Sequence, residues 1–305
     1  MKNYLVEREL ASALYGQVLL CKHDADRVVI KRVDLQAATE RRSLTGKISL
    51  SEDIVMEKQV HALLSSSKRP HKHIVLLHDT FVVDGFEHLV MEYCPNGELY
   101  DELQRQPHQR FSPSKAQDCF VQVVNAVAYI HKQGYAHGDL SLENVFLDNQ
   151  RKCKLGDFGL AAPLHKTRFK GVGKLFYMAP EMFSTHGYDT GKADLWALGI
   201  MLFMMLTGFP LFQKAHSSDL VFAYVEAKGL EQVLQGWKVN HLFTPEVLDL
   251  LSKLLHVDPA KRLSMKKLIK HRYVRHGKKL YDDSHHIRDF FKNFLLHVTP
   301  KGWTS

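Results

Sequence analysis

The chain has 305 residues, 24% of them charged and 45% hydrophobic, a balance that describes a folded globular protein and not a disordered one. A formal charge of +8 raises nucleic acid or acidic partners. Lys and Arg are nevertheless dispersed, and the densest group, Lys261-Arg262 with Lys266-Lys267, reads as a solvated helix face, so no nucleic-acid partner is expected. Four scattered cysteines, Cys21, Cys94, Cys119 and Cys153, form no CxxC pair, so neither a disulfide framework nor a zinc site is indicated. No apolar core follows Met1-Lys2-Asn3-Tyr4, and the most apolar run, Leu195 to Leu206, is too short to span a bilayer. An intracellular location, cytoplasmic or nuclear, with no membrane segment is the expectation.

Residues 4–33 read as three strands: Tyr4 to Leu10, Gly16 to Cys21, and Val28 to Val33, the last rich in β-branched residues. The polar run His23-Asp24-Ala25-Asp26 is the turn between the second and third. Residues 35–50, polar and containing Gly46, read as a loop insertion. Apolar positions Ile54, Val55, Val60, Leu63 and Leu64 fall near a helical period. Ser65 to Pro70 is a second loop. Strands resume at Ile74 to Leu77 and Thr80 to Val83, turn at Asp84-Gly85, and continue through His88 to Met91. A long helix is predicted from Ala116 to His131, apolar at Phe120, Val123, Val124, Val127 and Ile130, with Gly134 as its stop signal.

Beyond that helix come His137-Gly138-Asp139-Leu140-Ser141-Leu142-Glu143-Asn144, then Asp157-Phe158-Gly159, then Ala179-Pro180-Glu181. An Asp and an Asn five residues apart, followed by a second Asp before Phe-Gly, supply one base and two metal ligands. Phosphoryl transfer from ATP needs that set: a carboxylate to receive the substrate hydroxyl's proton, and oxygen ligands to hold Mg2+ on the phosphates. Any one of these short motifs arises by chance in a chain of this length. Three in this order and at these separations resemble the catalytic core of the eukaryotic protein kinases.

The resemblance covers residues 4–276 and implies an α+β, bilobal fold. A small β-rich N-lobe (1–91) with one main helix would be joined by a hinge (92–97) to a mainly helical C-lobe (98–276). Residues 277–305 lie outside it, with Ile287 to Val298 able to form an amphipathic helix. Asp139 is implied as the base, Asn144 and Asp157 as the Mg2+ ligands. Val28-Val29-Ile30-Lys31 matches V-A-I-K, which makes Lys31 the partner of the ATP α- and β-phosphates, with Val29 above the adenine and Phe146 below it. Glu57 is implied as the carboxylate that holds Lys31, with Glu52 as the alternative. Met91 would guard the pocket behind the adenine, and the backbone of Glu92 and Cys94 would bond it. Glu98 matches an acidic position that meets the ribose or an Arg of the peptide substrate; a first-turn helix carboxylate is the other reading. Asp194-Leu195-Trp196-Ala197-Leu198-Gly199 matches D-x-W-x-L-G, whose Asp would bind the catalytic-loop backbone. Asp258-Pro259-Ala260-Lys261-Arg262 matches D-P-x-x-R, whose Arg262 would pair with Glu181.

Several positions depart from the family pattern. The Gly-rich loop G-x-G-x-x-G-x-V reads Ala11-Ser12-Ala13-Leu14-Tyr15-Gly16-Gln17-Val18, keeping only the third glycine, which implies weaker or altered ATP binding. Gly138 stands where the family has an Arg that grips a phosphate on the activation segment (157–181), so independence from such a phosphate is expected. Thr167 is that segment's hydroxyl candidate. Ser141 replaces the Lys that steadies the γ-phosphate, while Lys174 replaces a Thr that contacts the catalytic loop, which suggests an exchange in which Lys174 supplies the charge. The expected function is ATP- and Mg2+-dependent transfer to Ser/Thr hydroxyls of protein substrates. Glu98 and Glu143 match positions that meet an upstream Arg in basophilic kinases such as the calmodulin-dependent group. The alternative is a pseudokinase scaffold that binds partners, with or without nucleotide, and does not transfer.

Overall fold

The computed structural model describes residues 4–40 and 52–275; the tail 277–305 with its expected helix, and most of the insertion read at 35–50, lie outside the described residues. The chain begins with β1 (Leu5–Ala13), β2 (Gly16–His23) and β3 (Asp26–Asp34), then α1 (Leu35–Thr39), α2 (Ile54–Ser65), β4 (Leu77–Val83) and β5 (Phe86–Glu92). These five strands form one antiparallel sheet in the order β1-β2-β3-β5-β4. Tight turns set the register: Asp84 and Gly85, both at positive φ, close the β4–β5 hairpin, and Gly85 does so without strain. Alternation in β3 sends Val28 and Ile30 to one face of the sheet and Val29 and Lys31 to the other, in the register Val18 opposite Lys31 and Val29 opposite Met91. Leu19, Cys21, Val28, Ile30 and Val90 form the sheet's own small core.

The insertion departs from expectation at its start. The Asp34 carboxylate accepts the Ala37 N–H at 2.9 Å, so residues 35–39 form the short helix α1 and not a loop. Asp53 caps α2 in the same way, accepting from Val55 and Met56.

The rest is mainly helical, through α3 (Leu99–Gln104), α4 (Pro113–Lys132), the short strands β6 (Tyr135–Ala136), β7 (Val145–Leu147), β8 (Cys153–Leu155), β9 (Ala162–Pro163), β10 (Thr167–Arg168) and β11 (Tyr188–Asp189), then α5 (Thr190–Thr207), α6 (Leu220–Lys228), α7 (Leu230–Gly236), α8 (Pro245–Leu254), α9 (Met265–Leu268) and α10 (Arg272–Arg275). The expected α+β, two-lobed architecture is therefore found. Ser112 caps α4 and Pro113 takes its first turn, where a missing N–H costs nothing, while Gly134 at φ +87° ends it. The apolar run from Leu195 is the middle of α5, a helix apolar on every side because other elements surround it. The large core built on α4 and α5 extends upward through Phe158 to Val60, Leu64 and Ile74. Helix α2 is thus packed into the lower core as well as against the sheet. This joint fixes the floor of the cleft between the lobes.

Candidate active site

A cleft of about 650 Å³ opens between the sheet and the helical part, floored by Asn144, Phe146 and Asp157 and roofed by Ala11, Ala13, Val18 and Val29. Met91, Glu92 and Cys94 form its back edge, and Lys31, Glu57, Glu98, Glu143 and Lys174 also line it. Val75 and Glu52, which were not among the expected nucleotide positions, line it too. Gly16 does not. A Cβ there would stand 1.8 Å from the Arg32 carbonyl oxygen, so this glycine is required by close contact between β2 and β3. Its lack of a side chain is what the strand packing requires.

The roof hairpin pairs Ala11 with Val18 and Ala13 with Gly16, directly after a register shift between Glu9 and Ala11. Methyls at 11 and 13 are therefore accommodated within the paired strands.

Lys31 sits on the Val29 face of β3, and its Nζ lies 2.7 Å from Glu57 Oε1 on α2. Asp157 follows at 3.6 Å and Glu52 at 4.0 Å. Burial alone would lower the Lys31 pKa, but Glu57, Asp157 and Glu52 outweigh it and raise the pKa, so the side chain stays cationic. Burial raises the Glu57 carboxyl against the pull of Lys31. The Lys31 cation in turn lowers the pKa of Asp157 and keeps it ionised. Both candidate Lys31 partners thus face the ammonium, with Glu57 in contact and Glu52 at the edge.

Asp157 has φ +59°, an uncommon backbone state for a residue other than glycine, and its Oδ1 accepts the Gly159 N–H at 3.3 Å. Phe158 is fully buried between two histidine rings, His61 at 4.9 Å and His137 at 5.3 Å. His61 Nε2 bonds the Val75 carbonyl at 2.8 Å, and burial lowers its pKa to about 4, so the ring is neutral. His137 Nδ1 accepts the Asp139 N–H, which leaves Nε2 as the donor to the Gly156 carbonyl at 3.0 Å.

Asp139 lies beside Asn144, lining a small separate cavity with Gly138, Gly173 and Lys174. Asn144 Nδ2 donates to the Asp139 carbonyl at 2.7 Å and to the Asp139 Oδ2 at 2.8 Å, which leaves the Asn144 Oδ1 as the acceptor for a cation. Asp194, at the start of α5, accepts the N–H groups of His137 (2.8 Å) and Gly138 (3.0 Å) and pairs with His131 at 2.8 Å. The catalytic loop is therefore suspended on one buried carboxylate.

Lys174 Nζ donates to Ser141 Oγ at 2.9 Å and lies 3.7 Å from Asp139 Oδ2. Gly173 before it, at φ +91°, leaves no room for a side chain, since a Cβ would stand 2.8 Å from Asp139 Oδ1. The Tyr177 hydroxyl accepts from Leu142 N–H and donates to Glu143 Oε2 at 3.0 Å. Glu98 precedes α3 but makes no capping bond, so its carboxylate is left to face the cleft. Burial, then Asp101 and Glu143, raise its pKa. Further down, Arg262 meets Glu181 through two parallel bonds of 2.6 and 2.8 Å, with its side chain fully enclosed beside Trp196. The back edge has its own staple: Lys154 reaches Glu92 at 2.7 Å, and Glu92 also accepts the Leu76 N–H.

Comparison with known proteins adds a family. The description "Protein kinase domain" matches residues 4–274. The Maternal embryonic leucine zipper kinase of Xenopus laevis is 30% identical over 285 residues, 91% of this chain and 40% of that protein. CBL-interacting serine/threonine-protein kinase 20 of Arabidopsis thaliana is 30% identical over 91% of this chain and 60% of its own length. CBL-interacting protein kinase 14 of Oryza sativa subsp. japonica is 31% identical over the same shares. The chain thus spans 40% to 60% of the length of these curated relatives.

Proposed function

This chain belongs to the protein kinase family, and from that premise we propose that it transfers the γ-phosphoryl group of ATP to Ser or Thr hydroxyls of protein substrates. The observation that carries the reading is that Lys31, Asn144, Asp157 and Lys174 line one cleft, with Asp139 bonded to Asn144 and 3.7 Å from Lys174. A chain used only as a scaffold has no need of an Asn144 amide clamped on Asp139 or of a half-exposed Lys174 beside the same carboxylate.

Lys31, fixed by Glu57, holds the α- and β-phosphates. Met91, Val29 and Phe146 enclose the adenine, and the adjoining backbone of Glu92 and Cys94 bonds it. The oxygens of Asn144 and Asp157 fit Mg2+, a hard cation that takes one or two protein oxygens and leaves its other positions to phosphates and water. Bound there, the ion would offset phosphate charge. Asp139 orients the substrate hydroxyl and takes its proton. Lys174 faces the developing charge on the transferred group, with its ammonium steadied by Ser141. Glu98, Asp101 and Glu143 form an acidic rim whose raised Glu98 pKa marks a site seeking a cation. An Arg upstream of the target hydroxyl satisfies it.

The test is transfer of 32P from ATP and Mg2+ to the chain itself and to Ser/Thr peptides, with Asp139→Asn beside the wild type. A loss of roughly 100-fold or more in the variant, with ATP still bound, is expected. Equal rates, or no transfer by a wild type that binds ATP, would shift the reading to a scaffold.

A further inference from the structure

Gly138 stands immediately before Asp139 at φ +79°, and Asp194 holds its N–H. A Cβ built there would lie 2.4 Å from the Leu160 carbonyl oxygen and 3.3 Å from Arg168 Nη1. That same Nη1 donates to the Leu160 carbonyl at 2.9 Å. The space beside the glycine is therefore filled by a guanidinium that comes from another part of the chain.

Arg168 lies in β10, which pairs with β11 so that Arg168 is opposite Tyr188. Its neighbours Thr167 and Phe169 are exposed while Arg168 is half-buried, as strand alternation requires. A cavity of about 20 Å³ between the catalytic loop and the activation segment is lined by Gly138, Arg168, Gly173, Lys174, Tyr188 and Asp194. Burial raises the Tyr188 phenol's pKa, and the Arg168 cation beside it opposes the rise.

Three pieces of the site meet at this one side chain. Leu160 follows Asp157-Phe158-Gly159; Gly138 precedes the base; β10 leads into Gly173 and Lys174, which touch Asp139. We propose that Arg168 is the positioning residue that clamps the activation segment onto the catalytic loop, in the space a side chain at position 138 would occupy, so that Lys174 meets Asp139 without a phosphorylated hydroxyl. The proposal rests on the phosphoryl-transfer reading above. Thr167 does not compete for this role. It faces Asp189 across the β10–β11 pair, where a phosphate would meet a carboxylate, and alternation turns it away from Arg168.

Arg168→Met and Arg168→Lys, with Thr167→Ala as control, are compared by initial rates, ATP affinity, thermal melting and hydrogen exchange of residues 158–174. Arg168→Met is expected to lower kcat by about tenfold or more through misplacement of Lys174, to leave ATP affinity and melting unchanged, and to speed exchange across 160–173. Lysine keeps a donor for Leu160 and recovers part of both losses; Thr167→Ala behaves as wild type in both. Wild-type exchange in Arg168→Met overturns the proposal. So does a drop in melting accompanied by faster exchange throughout the protein, since the residue would then be a general structural one. The exchange result stands whether or not the wild type transfers phosphate, so failure of the clamp and failure of the kinase reading are told apart.

Discussion

The two cations of the cleft are held in opposite ways. Lys31 is buried against the likewise buried Glu57, and the more exposed Asp157 and Glu52 lie 3.6 and 4.0 Å from its ammonium. Lys174 is 39% exposed, bonded to a neutral hydroxyl, and 3.7 Å from its nearest carboxylate. The first arrangement is part of the fold, because removing either partner strands a buried charge. The second is inexpensive to the fold, since a half-exposed cation is screened by water. On the proposed function, the nucleotide-side contacts would carry stability and binding together, and the substrate-side contacts rate with little stability.

That contrast is most easily broken at Glu57. Glu57→Gln leaves Lys31 without its closest charge, though Asp157 and Glu52 remain nearby, and a loss of about 3 kcal/mol in urea unfolding is expected. Lys174→Met should move the same unfolding midpoint by less than about 1 kcal/mol. Equal losses from the two variants would erase the distinction.

A second prediction concerns His61, which lies against Phe158 at the joint between the lobes. Its folded pKa of about 4 lies below the ordinary value of 6.5, so the unfolded chain binds the extra proton between those values. Its contribution is therefore fully present above pH 6.5 and is lost as pH falls toward 4, up to about 3 kcal/mol. His61→Leu should remove that share of the acid sensitivity, at a cost near neutrality of about 1 kcal/mol for the unpaired Val75 carbonyl. Urea titrations at pH 7 and pH 5 measure it, and an unaltered difference between the two would assign the acid loss to other groups. The smallest effect is expected at the acidic rim. Glu98→Gln should weaken selection for an upstream Arg in a peptide array by a few-fold while leaving rates on Arg-free peptides alone.

Much of this was legible in the sequence because it is written in local signals. The β-branched row of β3, the helical period of α2 and α4, and the Asp84-Gly85 turn each depend on residues a few positions apart. The order of Asp139, Asn144 and Asp157 was legible for a related reason: the first two stand five residues apart on one loop, and the third follows the short strands β7 and β8. Arg168 was not, because its partner is a backbone carbonyl eight residues away, and any residue type offers a carbonyl. His61 was hidden by its helix, where it reads as one more apolar-side position until Phe158 is placed against it. The packing demand on Gly16 was hidden too, since the Arg32 carbonyl that excludes a Cβ there is contributed by the next strand. Helix α1 was missed because Asp34, its cap, also ends a strand, and its five residues are too few to show a helical period.

The central claim is that Lys174 supplies from the activation segment the charge that Ser141 does not supply from the catalytic loop. The direct measurement is kcat for Lys174→Thr and for the double variant Ser141→Lys, Lys174→Thr. The account predicts a loss of about tenfold or more in the single variant and recovery of most of it in the double. A double variant no faster than the single, or a single variant as fast as the wild type, would contradict it.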